Sequence, residues 1–149
     1  MKGSQAGLDQ FLTHRLHTMN KLTDRALGEL YRDKLGITLP EARVINAVGA
    51  FGPFSIMELA RRTHLDKSQA SRAAEALIHQ GLLSRAASDE DGRIVVVALT
   101  RDGTALNRKI MTLARRWNGD LAERLSDSER AALERALDKL IAYTRERIE

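Results

Sequence analysis

Ser55-Ile-Met-Glu-Leu-Ala-Arg-Arg-Thr-His-Leu-Asp-Lys-Ser-Gln-Ala-Ser-Arg72 is the stretch on which the fold turns. Ser55 stands three residues before Glu58, and Asp66 three before Gln69. In such a box the two side chains satisfy each other's orphan backbone N–H groups at a helix start. The spacing predicts a short helix over residues 56–62 and a longer one over 67–80, separated only by Thr63-His64-Leu65. Leu59 and Ala60 lie on the first; Ala70, Ala73, Ala74 and Leu77 share one side of the second. Small residues let two helices approach closely, as a helix-turn-helix requires. Leu65, just ahead of the Asp66 cap, is placed to staple onto Ala70 and fix the entry angle.

Projected at about 100° per residue, the far side of the second helix presents Ser68, Arg72, Glu75 and His79, flanked by Lys67, Gln69 and Ser71. A polar face by itself is compatible with plain solvation. It also offers Arg and Gln to base edges, Ser to phosphate or base, and a positive helix end to the backbone, as a major-groove reader does. The segment C-terminal to this helix favours the second reading. Residues 82–87 and 93–99 are strand-like, the latter rich in β-branched side chains. Ser88-Asp-Glu-Asp-Gly92 between them carries hairpin chemistry ending in Asp-Gly. The ribbon makes a winged helix-turn-helix. Arg93 at its tip is the candidate for a minor groove, with Asp89 or Asp91 pairing with it and holding its guanidinium in one direction. Arg61, Arg62 and Arg85 are candidates for phosphate contacts or for ordinary surface charge.

Outward from this segment, Thr38-Leu-Pro-Glu41 and Ser126-Asp-Ser-Glu129 are two more capping boxes. The first opens a helix from 39 to about 48, broken by Gly49-Ala-Phe-Gly-Pro53; the second opens a final helix to about 147. Leu12, Leu16, Met19, Thr23, Ala26, Leu27 and Leu30 trace a long helix over 8–35, stopped by Gly36. Thr100 caps another, with Leu106, Ile110, Leu113, Trp117 and Leu121 on one stripe. The fold class is mainly α with a small β-hairpin wing: a winged helix-turn-helix lobe over 38–101, flanked by a helical dimerisation region over 1–37 and 102–149.

The chain has 149 residues, 43% apolar and 30% charged, which fits one domain and excludes disordered or collagen-like classes. Cys is absent, removing disulfides, thiol nucleophiles and thiol-based sensing. The longest apolar run, from Ile94 to Leu99, is far short of the roughly 20 residues a membrane span needs. The opening Met1-Lys2-Gly3-Ser4-Gln5 has no apolar stretch behind it, so a soluble cytoplasmic protein is expected. The net charge of +4 is spread as +2, +1 and +1 over residues 1–54, 55–101 and 102–149, so nucleic-acid binding rests on where charges sit, not on their sum. No GxSxG, HExxH, P-loop or dinucleotide fingerprint occurs, no catalytic set is visible, and neither enzyme nor cofactor is expected.

Ser55-Ile-Met-Glu-Leu-Ala-Arg-Arg, Asp66-Lys-Ser-Gln-Ala-Ser-Arg, Leu77-Ile-His-Gln-Gly-Leu-Leu-Ser-Arg85, Asp89-Glu-Asp-Gly-Arg93 and Leu99-Thr100 together resemble the MarR (multiple antibiotic resistance regulator) family. The wing signature of Asp, Gly-Arg and Leu-Thr is the most specific part, and the flanking long helices also fit. The resemblance implies an obligate homodimer binding an operator in double-stranded DNA as a repressor. The candidate DNA contacts are Lys67, Ser68, Gln69, Ser71, Arg72, Arg93 and Arg61. It further implies a small anionic aromatic effector in a cleft between the dimer helices and the lobe. By position that cleft is lined by His14, Arg15, His17 and Thr18, with Arg43 across from them and Met19 and Trp117 as apolar wall. His14 and His17 project away from the main apolar stripe, so solvation or a dimer contact is the competing reading; with no Cys or nearby acid, a metal site is not expected. A non-sensing, constitutive DNA binder is the alternative function.

Overall fold

The computed structural model describes residues 7–149; the Met1–Gln5 opening lies outside them. Among these residues a 3-10 turn at Leu8–Gln10 is followed by α1 (Leu12–Leu35), α2 (Leu39–Phe51), α3 (Ile56–Thr63) and α4 (Lys67–His79). Strands β1 (Leu83–Ala87) and β2 (Val95–Leu99) come next, then α5 (Arg101–Ala122) and α6 (Asp127–Ile148). The chain forms two compact units, Met1–Leu113 and Ala114–Glu149.

Local capping chemistry sets the helix starts. Thr38, Asp66 and Ser126 form reciprocal boxes with Glu41, Gln69 and Glu129. Ser55 accepts from the Glu58 N–H at 3.2 Å, but the Glu58 carboxylate takes the Ser55 hydroxyl rather than closing the box on the backbone. Gly36 ends α1, donating its N–H to the Arg32 carbonyl at 3.0 Å. The expected continuous helix over 8–35 is interrupted at Phe11, whose extended backbone separates the 3-10 turn from α1.

The expected break of α2 at Gly49 does not occur; the helix runs on to Phe51. Gly49 serves packing instead. A Cβ there would lie 2.4 Å from Asn107 Nδ2 and 3.2 Å from Leu99 Cδ1, so the missing side chain is what lets α5 and the end of β2 close on α2.

In the first unit α2, α3 and α4 surround one core. Ile45, Leu59, Leu77, Leu83, Ile110 and Val44 are fully buried, each worth about 1.5–3 kcal/mol relative to exposure. Ala70, Ala73 and Ala74 bring α4 close against its neighbours, and Leu65 is buried in the same cluster. The core also takes in Tyr31 and Ile37 from before residue 38 and Ile110 from beyond residue 101.

The hairpin pairs antiparallel from Leu83 opposite Leu99 to Ala87 opposite Val95. Its tip is a loop over 89–93, closed by the Ser88 N–H on the Ile94 carbonyl at 2.8 Å and the Ile94 N–H on the Asp91 carbonyl at 3.0 Å. Phe54 bonds Val97 in both directions, at 3.2 and 2.8 Å, on the outer edge of β2. Thr100 ties the base together: its N–H reaches the Leu82 carbonyl at 3.1 Å, its hydroxyl donates to the Gly81 carbonyl at 2.7 Å, and the same oxygen accepts the Gly103 N–H at 3.1 Å. One threonine thus joins the segment just after α4 to the end of β2 and caps α5.

In the second unit α6 buries none of its residues, and Leu133, Leu140, Ile141, Tyr143 and Ile148 are exposed. No helix among the described residues is long and apolar enough to cross a membrane.

Candidate nucleic-acid interface and effector hollows

Asp66 fixes the start of α4 by accepting the Gln69 N–H at 2.7 Å, while Gln69 Oε1 accepts the Asp66 N–H at 3.2 Å. Gln69 therefore commits its carbonyl oxygen to the cap and keeps its amide N–H groups for donation. Lys67, Ser68, Gln69, Arg72 and Glu75 are exposed on the outward side, with Ser71 half-buried. Arg72 donates to the Ser68 hydroxyl one turn back at 2.5 Å, which draws its guanidinium toward the N-terminal end of the helix. Thr38, Pro40 and Glu41 at the start of α2 share a hollow of about 220 Å³ with Gln69, Arg72 and Ala73. A second capped helix start thus lies beside the candidate contacts Gln69 and Arg72, a neighbourhood the linear spacing did not signal.

The α3–α4 turn is made by His64 in the left-handed region (φ 58°), after Thr63 has donated its buried hydroxyl back to the Leu59 carbonyl. Arg61 is exposed near the end of α3.

The wing departs from expectation in detail. Asp91 Oδ1 accepts the backbone N–H of Arg93 at 3.0 Å, and neither Asp91 nor Asp89 pairs with the Arg93 guanidinium. A carboxylate two residues ahead of an N–H closes a short local ring, which costs less chain ordering than fixing a long guanidinium. The acid shapes the loop backbone, and the exposed Arg93 side chain stays available. Arg85 on β1 pairs with Glu75 on α4; nothing in the spacing of these two residues indicates it, because they meet only when the hairpin folds back.

On α1 the four candidate effector residues are exposed. His14, Arg15 and Thr18 line a hollow of about 390 Å³ with Asp9, Met19 and Leu22; His17 is outside this lining. Thr18 spends its hydroxyl on the His14 carbonyl at 3.0 Å. Arg43 does not join them. It pairs with Asp24 of α1 at 2.5 Å and lines a different hollow, about 310 Å³, with Asn46, Phe51, Arg62, His64 and Met111. There Arg62 lies over the rings of Phe51 and Phe54, at 5.7 and 5.9 Å. Asn46 Oδ1 is buried without a partner, an acceptor that a water or ligand N–H or O–H would satisfy. Asn46, Arg62 and His64 were not distinguishable as pocket residues by sequence, since α2, the end of α3 and α5 converge only in the folded lobe. No cluster of three or more metal-ligating side chains occurs among the described residues.

Tyr31, buried near Arg43, has its hydroxyl pushed above the ordinary value of 10.0 by burial, with the Arg43 charge acting in the opposite direction. The folded chain holds the neutral phenol more firmly than the unfolded chain does. This contribution is complete below pH 10 and is lost as pH rises through the raised folded value. Stability from urea unfolding is expected to decline above pH 10 in the wild type and to decline less in Tyr31→Phe.

Comparison with known proteins shows what the chain is similar to. Residues 35–94, the end of α1 through the wing loop, match the model of the MarR family. The chain is 28% identical over 127 residues to the multiple antibiotic resistance protein MarR of Escherichia coli, covering 85% of this chain and 88% of that one. It is 28% identical over 81 residues to the organic hydroperoxide resistance transcriptional regulator of Bacillus subtilis, an alignment spanning 54% of this chain and only 55% of the relative. Among solved structures, that of Bordetella bronchiseptica BpsR, whose DNA binding is regulated by 6-hydroxynicotinic acid, superposes with a TM-score of 0.78. It covers 92% of this chain and 97% of that one at 23% identity. With a helix-turn-helix, a hairpin wing and flanking long helices in this order, the chain has the winged helix-turn-helix fold and is similar to the MarR family of transcriptional regulators.

Proposed function

We propose that the chain acts as a homodimeric repressor, its two α4 helices entering successive major grooves of a pseudo-palindromic operator and its Arg93 wings reaching the adjacent minor grooves. The observation that carries this reading is the outward face of α4, where Lys67, Ser68, Gln69 and Arg72 stand exposed on a helix whose opposite side is fully buried. The exposed apolar side chains of α6 support a second copy as the covering partner. A two-fold pair sets half-sites about 34–36 Å apart, centre to centre. The lobe over 38–101 would then read the operator, and the helices over 1–37 and 102–149 would hold the pair.

For release we favour a small aromatic acid or phenol. The hollow beside Arg43 supplies two guanidinium groups, the Phe51 ring and the unpartnered Asn46 oxygen. His14, Arg15 and Thr18 offer a second, more open site on α1, with His17 nearby in sequence. The likeness to BpsR supports the effector class. An anion reaching Arg43 competes with Asp24 and so acts on the α1–α2 contact. That same ion pair favours the alternative, a constitutive binder, because it already neutralises Arg43.

The test is selection of duplexes from a randomised pool by the purified full chain, with its mass in solution measured alongside. The expected product is an inverted repeat with the spacing above, bound by a dimer, with affinity falling steeply in salt. Salicylate, benzoate and 6-hydroxynicotinate are then added. One that raises the melting temperature and also releases the duplex supports sensing; if none does both, the constitutive reading stands. A lone subunit, or no retained duplex at low salt, overturns the proposal.

A further inference from the structure

Glu75 is an acid on the face of α4 that would meet a polyanion. It follows Ser68 and Arg72 on one stripe, about one turn beyond Arg72, whose guanidinium is turned the other way toward Ser68, and it pairs with Arg85 in the middle of β1, opposite Val97. Both side chains are more than half exposed, 58% and 52%, and an ion pair so placed contributes little to stability. Its electrostatic effect on a bound duplex is larger. Against phosphates an unpaired carboxylate is repelled. Against base edges it is selective: the exocyclic amino groups of cytosine and adenine are the only donors in the major groove, while guanine N7 and O6 and thymine O4 are acceptors that an acid rejects.

We propose that Glu75 is a base-discriminating residue of the reader helix and that Arg85 is its positioning residue. Arg85 holds the carboxylate in place and cancels its charge toward the DNA backbone. On this view Arg85, although basic and exposed, is not a phosphate anchor. The inference rests on the DNA-binding reading above and adds a selectivity element to it.

The test uses the full chain, the duplex it selects, and every single-base variant of one half-site. Glu75→Gln is expected to relax, by about tenfold, the preference for an amino-bearing base at one position per half-site. Arg85→Ala, which leaves Glu75 unmasked, is expected to weaken all duplexes by about tenfold. The double variant is again neutral at this place. It should recover to within about threefold of wild-type affinity, with the wild-type salt slope and the relaxed preference. Thermal melts should be unchanged throughout, since all the sites are exposed.

The proposal is overturned if Glu75→Gln leaves the base ranking intact. It is overturned equally if the double variant stays as weak as Arg85→Ala, with a salt slope shallower by about 0.9 per subunit, the mark of a lost phosphate contact. If the wild-type chain retains no duplex at all, the DNA-binding reading fails first and takes this one with it.

Discussion

Replacing Gly103 with alanine is expected to lower the melting temperature by about 6–12 °C. A Cβ on Gly103 would lie 2.0 Å from the Leu82 carbonyl oxygen, 3.0 Å from its carbon and 3.4 Å from Leu99 Cδ2. The first two are backbone atoms, so no side-chain rotation relieves the overlap. The Leu82 carbonyl is also where the Thr100 N–H ends, at 3.1 Å, and retreat of that oxygen would break the bond fastening the wing to the start of α5. Overpacking together with a lost buried hydrogen bond comes to about 3 kcal/mol, or roughly 2–4 °C for each kcal/mol in a chain of this size. Gly119 in the same helix is the control. Nothing lies within 4 Å of a Cβ there, so Gly119→Ala should stabilise by up to about 1 kcal/mol through helix propensity alone. Thermal unfolding of both variants at one protomer concentration measures the contrast. Equal melting temperatures would mean that α5 and the wing base do not meet as closely as described.

Arg72→Ala is expected to have the largest effect on binding. A bidentate arginine contact to a base is worth about 1–3 kcal/mol, and the proposed dimer would lose it twice. The combined loss of about 2–6 kcal/mol corresponds to a fall in operator affinity from about thirtyfold to more than ten-thousandfold. Fluorescence anisotropy on the selected and a scrambled duplex separates two roles. If the selected duplex alone weakens, Arg72 reads a base; if both weaken equally and the salt slope becomes shallower, it grips the backbone. The Ser68 contact at 2.5 Å bears on this outcome, because a guanidinium already drawn toward the helix start loses less freedom on binding.

These residues also show which parts of the molecule the sequence made legible. Helix starts were, because a capping box involves residues three apart: Thr38, Asp66 and Ser126 close theirs as the spacing predicts. The buried side of α4 was, because Ala70, Ala73, Ala74 and Leu77 repeat with the helix period. Gly49 was misleading, since the same residue type can end a helix or admit a neighbouring one, and only the position of Asn107 distinguishes the two. Arg43 was expected beside His14 and Arg15, but an arginine's partner is set by the tertiary fold, and Asp24 lies closer. Asp91 had two donors within reach, the Arg93 N–H and the Arg93 guanidinium, and spacing does not choose between them. Local periodicity and local caps were readable, then, and partners brought together from distant elements were not.

The pairing of Phe54 with Val97 has a consequence for the solubility of the chain. Val95, Val96 and Val97 lie in a run of high β-propensity, in a two-stranded sheet whose outer edge would otherwise present a row of free donors and acceptors. Both backbone groups of Val97 on that side are already taken by Phe54. A strand arriving from another molecule finds the centre of the edge occupied, which protects the wing against the cross-β stacking that its valines would otherwise invite.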